Sequence, residues 1–181
     1  MFAKLLSDKA EFSGENLPER IFGVAGQPSK ELSAPVSSGP KDLHILWLEK
    51  KGDDRVPEKS LFTPNEMIRY LPNIYLIDII DAARDFRIRL FGTEVASMLG
   101  KDYTGTLLSD TKPELNWRGE IYRLAYERQE PVFYLFNLGP FDREFIMTEN
   151  ALFPLKDKEG NFSHLLCISV EAASNGFKDQ G

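Results

Sequence analysis

The chain has 181 residues, of which 42% are hydrophobic and 28% charged, and its net charge is -6. These values are typical of one folded domain with an extension, and they argue against nucleic acid as a partner, because phosphate binding depends on clusters of Lys and Arg that the sequence lacks. Its single cysteine, Cys167, excludes an intrachain disulfide. No apolar stretch resembles a signal peptide or approaches the ~20 residues of a membrane span, so we expect a cytoplasmic protein without a membrane partner.

The amino-acid composition of the sequence changes near Asp42. Residues 1–41 are rich in Ser, Pro, Gly and Glu and predict a flexible N-terminal extension, although their scattered large apolar residues leave docking on a partner or on the domain open. Residues 42–173 carry the apolar periodicity of a folded domain, and residues 174–181 predict a short polar tail. The domain begins with a helix over Leu43–Lys51 whose apolar residues occupy more than one stripe, so it can bury against two surfaces.

The next elements are a short helix and an antiparallel set of strands. Thr63, Pro64 and Glu66 form a capping box with Pro at the first helical position, which predicts a helix ending near Pro72. Five strands are predicted at Asn73–Ile80, Phe86–Phe91, Pro131–Gly139, Glu144–Leu155 and Phe162–Glu171. Two helices are inserted between the second and third strands, at Thr93–Leu99 with Thr93 as its cap and at Pro113–Gln129.

One charged residue interrupts the first strand. Asp78 lies within reach of Arg87 or Arg89 on the neighbouring strand, and a cross-strand ion pair is the expected arrangement. The order of elements predicts an α+β fold in which the first and last strands pair at the centre of a five-stranded antiparallel sheet, with an N-terminal flanking helix.

Two ordered motifs point to a family. The segment FRIRLFGTEVASMLGKDYTG fits Phe-x-x-Arg-Leu-x-Gly-Thr followed by Gly-x-Asp-x-Thr-Gly, and ENALFPLKDKEG fits Glu-x-x-x-x-Pro-Leu-x-x-x-x-Gly. The matching residues are Phe86, Arg89, Leu90, Gly92, Thr93, Gly100, Asp102, Thr104, Gly105, Glu149, Pro154, Leu155 and Gly160. Through these motifs the chain resembles a bacterial PAS subfamily over roughly Asp42 to Glu171, which implies a PAS fold and a signalling role.

The resemblance also implies a concave space between the sheet and the inserted helices, which either holds a small molecule or is filled by side chains. The residues expected to line it are Ile88, Leu90, Val95, Leu99, Trp117, Ile121, Phe133, Leu135, Phe153 and Leu166. Such a lining would suit a small apolar ligand, and each residue also serves as ordinary core. In PAS domains the flanking helix commonly joins a homodimer, and packing on its own sheet alone is the alternative.

The sequence disfavours the familiar cofactors. Haem needs an axial ligand, and the helix predicted at Pro113–Gln129 contains no His. His44 and His164 are expected to be solvated or hydrogen-bonded residues rather than ligands. Covalent flavin needs a Cys on the inserted helices, whereas Cys167 lies within a predicted strand and is expected to be a small buried hydrophobe. No metal site is predicted.

An enzyme is not expected, because the sequence has two histidines and no GxSxG motif. Glu149 and Asp78, with Arg89 between them, could form a buried carboxylate pair, which we interpret as sheet electrostatics. The favoured function is a stand-alone sensor module that binds a small molecule or a partner and acts in trans on a signalling protein. The alternatives are a ligand-free adaptor acting through a dimer surface, and a small-molecule enzyme on a cone-shaped α+β fold whose polar pocket would hold His164 with Glu149.

Overall fold

The structure is a computed structural model that describes residues 29–111, 118–139 and 142–172. Within these ranges the strands are β1 (Ser29–Leu32), β2 (Ile74–Ile80), β3 (Asp85–Phe91), β4 (Val132–Leu138), β5 (Arg143–Lys156) and β6 (Phe162–Glu171). The α-helices are α1 (Ser38–Lys51), α2 (Thr93–Leu99) and α3 (Arg118–Arg128). Short 3-10 turns lie at Lys59–Leu61, Pro64–Met67, Leu71–Asn73 and Leu108–Asp110.

The described strands form one antiparallel sheet in the order β1-β4-β5-β6-β2-β3. The predicted α+β fold is confirmed, with α2 and α3 inserted between β3 and β4 and α1 flanking the sheet. The first predicted strand, β2, pairs with the last, β6, from Ile74 opposite Ile168 to Asp78 opposite His164. The two hairpins therefore meet through the centre of the sheet, as expected.

The sixth strand, β1, lies inside the stretch predicted to be an extension. It pairs with the edge of β4, so that Leu32 lies opposite Phe133. Lys30 and Glu31 are consecutive charged residues, so β1 lacks the alternation of apolar and polar residues that predicts a strand. It is held instead by backbone pairing with β4 and by the ion pair between Glu31 and Arg128. Residues 1–28 of the predicted extension and the predicted polar tail lie outside the described residues.

The sheet has two buried faces. The inner face packs against α2 and α3 through a core that contains Ile77, Phe86, Val95, Ile121 and Leu165. The outer face packs against α1 through a second core that contains Leu43, Trp47, Phe153 and Ile168. Because helices cover both faces, central strands such as β4 are buried almost continuously.

Three local boundaries differ from the prediction. Helix α1 begins at Ser38, because Gly39 and Pro40 are buried at its start rather than forming a linker. The capping box is confirmed by the 3.0 Å hydrogen bond from the Thr63 N–H to the Glu66 carboxylate. The chain then forms two 3-10 turns instead of one helix, because Pro72 has no backbone N–H to donate within a helix.

The remaining helices also have revised boundaries. The residue that caps α2 is Gly92, and Thr93 is its first helical residue. Helix α3 is described from Arg118 to Arg128, so the start of the predicted helix, including Trp117, lies outside the described residues.

Candidate functional site

A small, largely enclosed cavity lies between the inner face and the helices. Its volume is about 10 Å³, which is room for roughly one water molecule. The apolar part of its wall is formed by Val95, Met98, Leu99 and Leu138. The polar part is formed by Tyr75, Arg118, Thr148, Asn150 and Ser169. The wall is thus more polar than the apolar lining that the sequence predicted.

Tyrosine hydroxyls form a connected group beside this cavity. Side-chain hydrogen bonds join Tyr75 to Tyr122, Tyr134 and Cys167. Burial raises the pKa of all three tyrosines, that of Tyr134 to about 12. The phenols are therefore neutral at physiological pH and offer O–H groups as hydrogen-bond donors and acceptors.

Arg118 brings a positive charge to the same group. Burial opposes this charge most strongly, but the surrounding tyrosine hydroxyls outweigh it and raise the pKa of Arg118. Its guanidinium carbon also lies 5.3 Å from the centre of the Phe136 ring, within cation-π range. The inner face therefore presents a cation and several neutral hydroxyls in one place.

On β5 the residues alternate between the two faces. Thr148 and Asn150 line the inner cavity, and the Asn150 amide donates to the Thr148 hydroxyl over 3.0 Å. Glu149 lies between them, points to the outer face and is fully buried. Consecutive residues of one strand thus contact the cavity and the outer core.

The Glu149 carboxylate holds the start of α1. It accepts hydrogen bonds from the backbone N–H of Val36 at 2.7 Å, the N–H of Ser37 at 2.8 Å and the Ser37 hydroxyl at 2.5 Å. Ser37 is the residue that precedes the first turn of α1. The buried charge is thereby compensated by donors and by the positive end of the helix dipole.

The residues predicted to line one pocket are divided between both faces. Ile88, Val95, Leu99 and Ile121 belong to the inner core. Phe133, Phe153 and Leu166 belong to the outer core, and Leu135 is buried at the position opposite Glu149. Leu90 is 47% exposed and lines no core. Trp117 lies outside the described residues.

Several motif residues shape the connections around α2. Asp102 accepts bonds from the backbone and hydroxyl of Thr104, at 2.8 and 2.7 Å. The Gly105 N–H donates to the Ile88 carbonyl over 2.6 Å, in a left-handed conformation with φ 84° that favours glycine. These residues tie the loop after α2 to β3. On the outer face, the Pro154 carbonyl accepts the Trp47 indole N–H at 2.9 Å.

The predicted ion pair at Asp78 is confirmed, with Arg89 as the partner at 2.6 Å. His164 lies on the next strand, 3.3 Å from Asp78, and bonds the Ser163 hydroxyl through its other ring nitrogen at 2.7 Å. Burial lowers the pKa of His164, and Lys59 lowers it further.

The suggested carboxylate pair of Glu149 and Asp78 is wrong. Glu149 lies opposite Val170 and Asp78 opposite His164, so the two positions are about 20 Å apart along β6. The same spacing separates His164 from Glu149, because His164 lies six positions before Val170, the residue opposite Glu149, on β6. The polar pocket that the enzyme alternative required is therefore not formed by these two residues.

Within the described ranges, no group of His, Cys, Asp or Glu has an arrangement that could hold a metal ion. None of the helices in the same ranges has the length and apolar character needed to cross a membrane.

The sheet order and the two inserted helices place the chain in the class of α+β domains with an antiparallel sheet covered by helices on both faces. A family model described as a PAS domain matches residues 37–168. The chain therefore belongs to the PAS domain family, in agreement with the resemblance of its motifs.

Solved structures include a protein with a similar fold. An RNA-binding Light-Oxygen-Voltage receptor is similar in structure, with a TM-score of 0.42 and 15% sequence identity over 79% of this chain. The match covers 38% of that receptor, so this chain spans well under half of its length. No curated protein matches the sequence significantly.

Proposed function

We propose that this PAS domain is a non-catalytic sensor module that binds a small molecule at the inner cavity and passes the bound state through β5 to α1, which acts in trans on a signalling protein. The observation that supports this route is the sequence of three buried residues on β5. Thr148 and Asn150 contact the cavity, and Glu149 between them holds the start of α1. A displacement of this stretch by a ligand would therefore change the support of α1 directly.

The chemistry of the cavity favours a ligand with polar atoms over the apolar ligand predicted from the sequence. Tyr75, Arg118 and Asn150 contribute hydroxyl, guanidinium and amide groups to the wall, and a ligand that left such buried groups unsatisfied would bind poorly. A cavity of about 10 Å³ does not admit a metabolite. Binding therefore requires α2, a helix of seven residues that supplies Met98 and Leu99 to the wall, to move outward.

The alternative of a ligand-free adaptor also has an observation in its favour. Ile45 and Leu48 on α1 are 55% and 47% exposed. They are three residues apart and share one side of the helix. An apolar strip of this kind suits a second copy of the chain or a partner helix. Under this alternative α1 still forms the interaction surface, but the inner cavity binds no ligand.

The experiment is hydrogen exchange of residues 36–51 in the Glu149→Gln variant, with Glu159→Gln in an exposed turn as the matched control. A hydrogen bond to a charged group contributes about 1.5–3 kcal/mol, so the backbone amides of Val36 and Ser37 and the first turn of α1 should exchange at least about tenfold faster in Glu149→Gln alone. Unchanged exchange would remove the proposed route.

Native mass spectrometry of the purified protein separates the two functions. A co-purifying small molecule, together with slower exchange of α1 when it is added back, supports the sensor. A homodimer that dissociates in the Ile45→Ser, Leu48→Ser variant, with no bound molecule, supports the adaptor.

A further inference from the structure

A second concave region lies on the outer face, on the opposite side of the sheet from the inner cavity. It is an open groove of about 420 Å³ between the C-terminal half of α1 and the connection from α3 to β4. This volume falls within the range of small-molecule sites, whereas the inner cavity is far smaller. The groove therefore offers room for a ligand without any movement, which the inner cavity does not.

Aromatic residues form one side of the groove. His44, Trp47 and Phe133 line it, and the His44 and Phe133 rings meet edge to face with their centres 5.0 Å apart. Burial lowers the pKa of His44, so its ring is neutral at physiological pH. Trp47 and Phe133 are only 2% and 6% exposed and form the floor of the groove, whereas Leu48, which also lines it, is 47% exposed. A flat, apolar ligand body would therefore lie mainly over His44 and Leu48.

Two cations lie at the end of the groove where α1 finishes. Lys51 donates to the Gly52 carbonyl over 3.2 Å, and Arg55 donates to the Arg128 carbonyl over 3.2 Å. Neither takes part in an ion pair with a carboxylate among the described residues. Both keep further N–H donors, since an ammonium has three and a guanidinium five.

The acidic residues near the groove limit its charge preference. Glu130 lines the wall formed by the connection to β4, and Asp54, near Lys51, is already paired with Lys156 at 2.9 Å. In a chain of net charge -6, this leaves a local positive region that suits one negative group rather than several.

The geometry points to a binding site for a small planar aromatic carboxylate, with its ring over His44 and Leu48 and its carboxylate at Lys51 and Arg55. This site is separate from the inner cavity and does not depend on the proposed sensor function. The His44 ring and the Leu48 side chain select the flat apolar body, and the two cations select the single acidic group.

The test is isothermal titration calorimetry of the full chain with 2-naphthoate, and with neutral 2-naphthylmethanol as the ligand control. Saturable one-to-one binding of 2-naphthoate is expected, at least tenfold weaker in the Lys51→Gln, Arg55→Gln double variant and unchanged in Lys158→Gln, which alters an exposed lysine in the turn before β6. The neutral alcohol should bind at least tenfold more weakly than 2-naphthoate. Thermal unfolding of each variant checks that the fold is kept.

Three results would overturn the assignment. The first is no saturable binding of 2-naphthoate to the unmodified chain. The second is equal binding by the double variant, which would place the probe elsewhere. The third is a dimer that dissociates only in the double variant while 2-naphthoate fails to bind, which would assign the groove to a second copy of the chain.

Discussion

The connection between β3 and α2 passes so close to the start of β2 that only glycine fits at position 92. A Cβ atom on Gly92 would lie 2.3 Å from the Pro72 carbonyl oxygen and 2.6 Å from the Ile74 carbonyl oxygen. The Gly92 N–H also donates to the Ile74 carbonyl over 2.8 Å. Because both obstacles are backbone atoms, Gly92→Ala can be accommodated only if the connection moves away from β2.

The cost of Gly92→Ala follows from these two contacts. Forcing an extra methyl group into a packed site costs about 1–3 kcal/mol, and loss of the bond to Ile74 adds about 1 kcal/mol. We therefore expect the free energy of unfolding to fall by about 2–4 kcal/mol, measured by urea denaturation. For a domain of this size the same change lowers the Tm by about 10 °C.

Gly119→Ala in α3 is the matched control. A Cβ atom there meets the flexible Leu108 side chain at 3.1 Å, and Ala is favoured over Gly in a helix interior by about 1 kcal/mol. The free energy of unfolding should then stay within about 1 kcal/mol of the unmodified protein, because the helix preference offsets a small shift of Leu108. Equal destabilisation by both substitutions would refute the argument from backbone contact at Gly92.

Three further predictions concern single side chains. Trp47→Phe removes the donor to the buried Pro154 carbonyl and should cost about 1–3 kcal/mol in urea denaturation; no loss would mean that this bond is dispensable. Burial lowers the pKa of His164 in the folded protein, so protonation favours the unfolded chain and stability should fall as the pH drops below about 6.5. His164→Gln should flatten this decline when the Tm is measured across a pH series, and an unchanged slope would exclude His164 as its source. The hydroxyl and backbone of Thr104 lower the pKa of Asp102, so its stabilising contribution should be lost below about pH 4, and Asp102→Asn should weaken that acid dependence; an identical acid limb in both proteins would contradict this.

The sequence was most informative where a charged residue interrupts an apolar strand and where the interacting groups lie within a few residues of each other. Asp78 stands in an apolar strand, and an ion pair with Arg87 or Arg89 on the neighbouring strand was predictable from the hairpin. The register places Arg87 directly opposite Asp78, whereas the ion pair forms with Arg89, so the choice between the two arginines was not predictable. The capping box at Thr63 and Glu66 was also predictable, because all of its groups lie within four residues. Local interactions of this kind leave a signature in the sequence itself.

The choice of face was not predictable from the same information. All residues from Val132 to Phe136 are buried, so alternation does not tell which of them face α3 and which face α1. Phe133 was expected on the inner side but lies in the outer core, and a shift of one residue in such a strand exchanges the two faces completely. In a strand that is buried on both faces, apolar residues do not alternate with polar ones, so the sequence does not show which residues face which side.

Glu149 was recognised as a motif residue, but its role was not. Besides the Ser37 hydroxyl, its partners are the backbone N–H groups of Val36 and Ser37, more than a hundred residues earlier in the chain. Backbone donors are present at almost every position, so no side-chain pattern could have indicated these two. The same limit explains β1, whose pairing with β4 depends on main-chain bonds rather than on apolar alternation.

The tyrosines explain why a chain dense in aromatic residues has a polar inner site. Counted as rings, Tyr75, Tyr122 and Tyr134 suggest an apolar pocket, and their rings do fill the inner core. Each also brings a hydroxyl that must be hydrogen-bonded when it is buried, and Tyr75 satisfies this requirement by joining the other two. A ligand that enters here must therefore replace hydrogen bonds as well as fill space, and one without polar atoms would leave these hydroxyls unpaired at a cost of about 1–3 kcal/mol each.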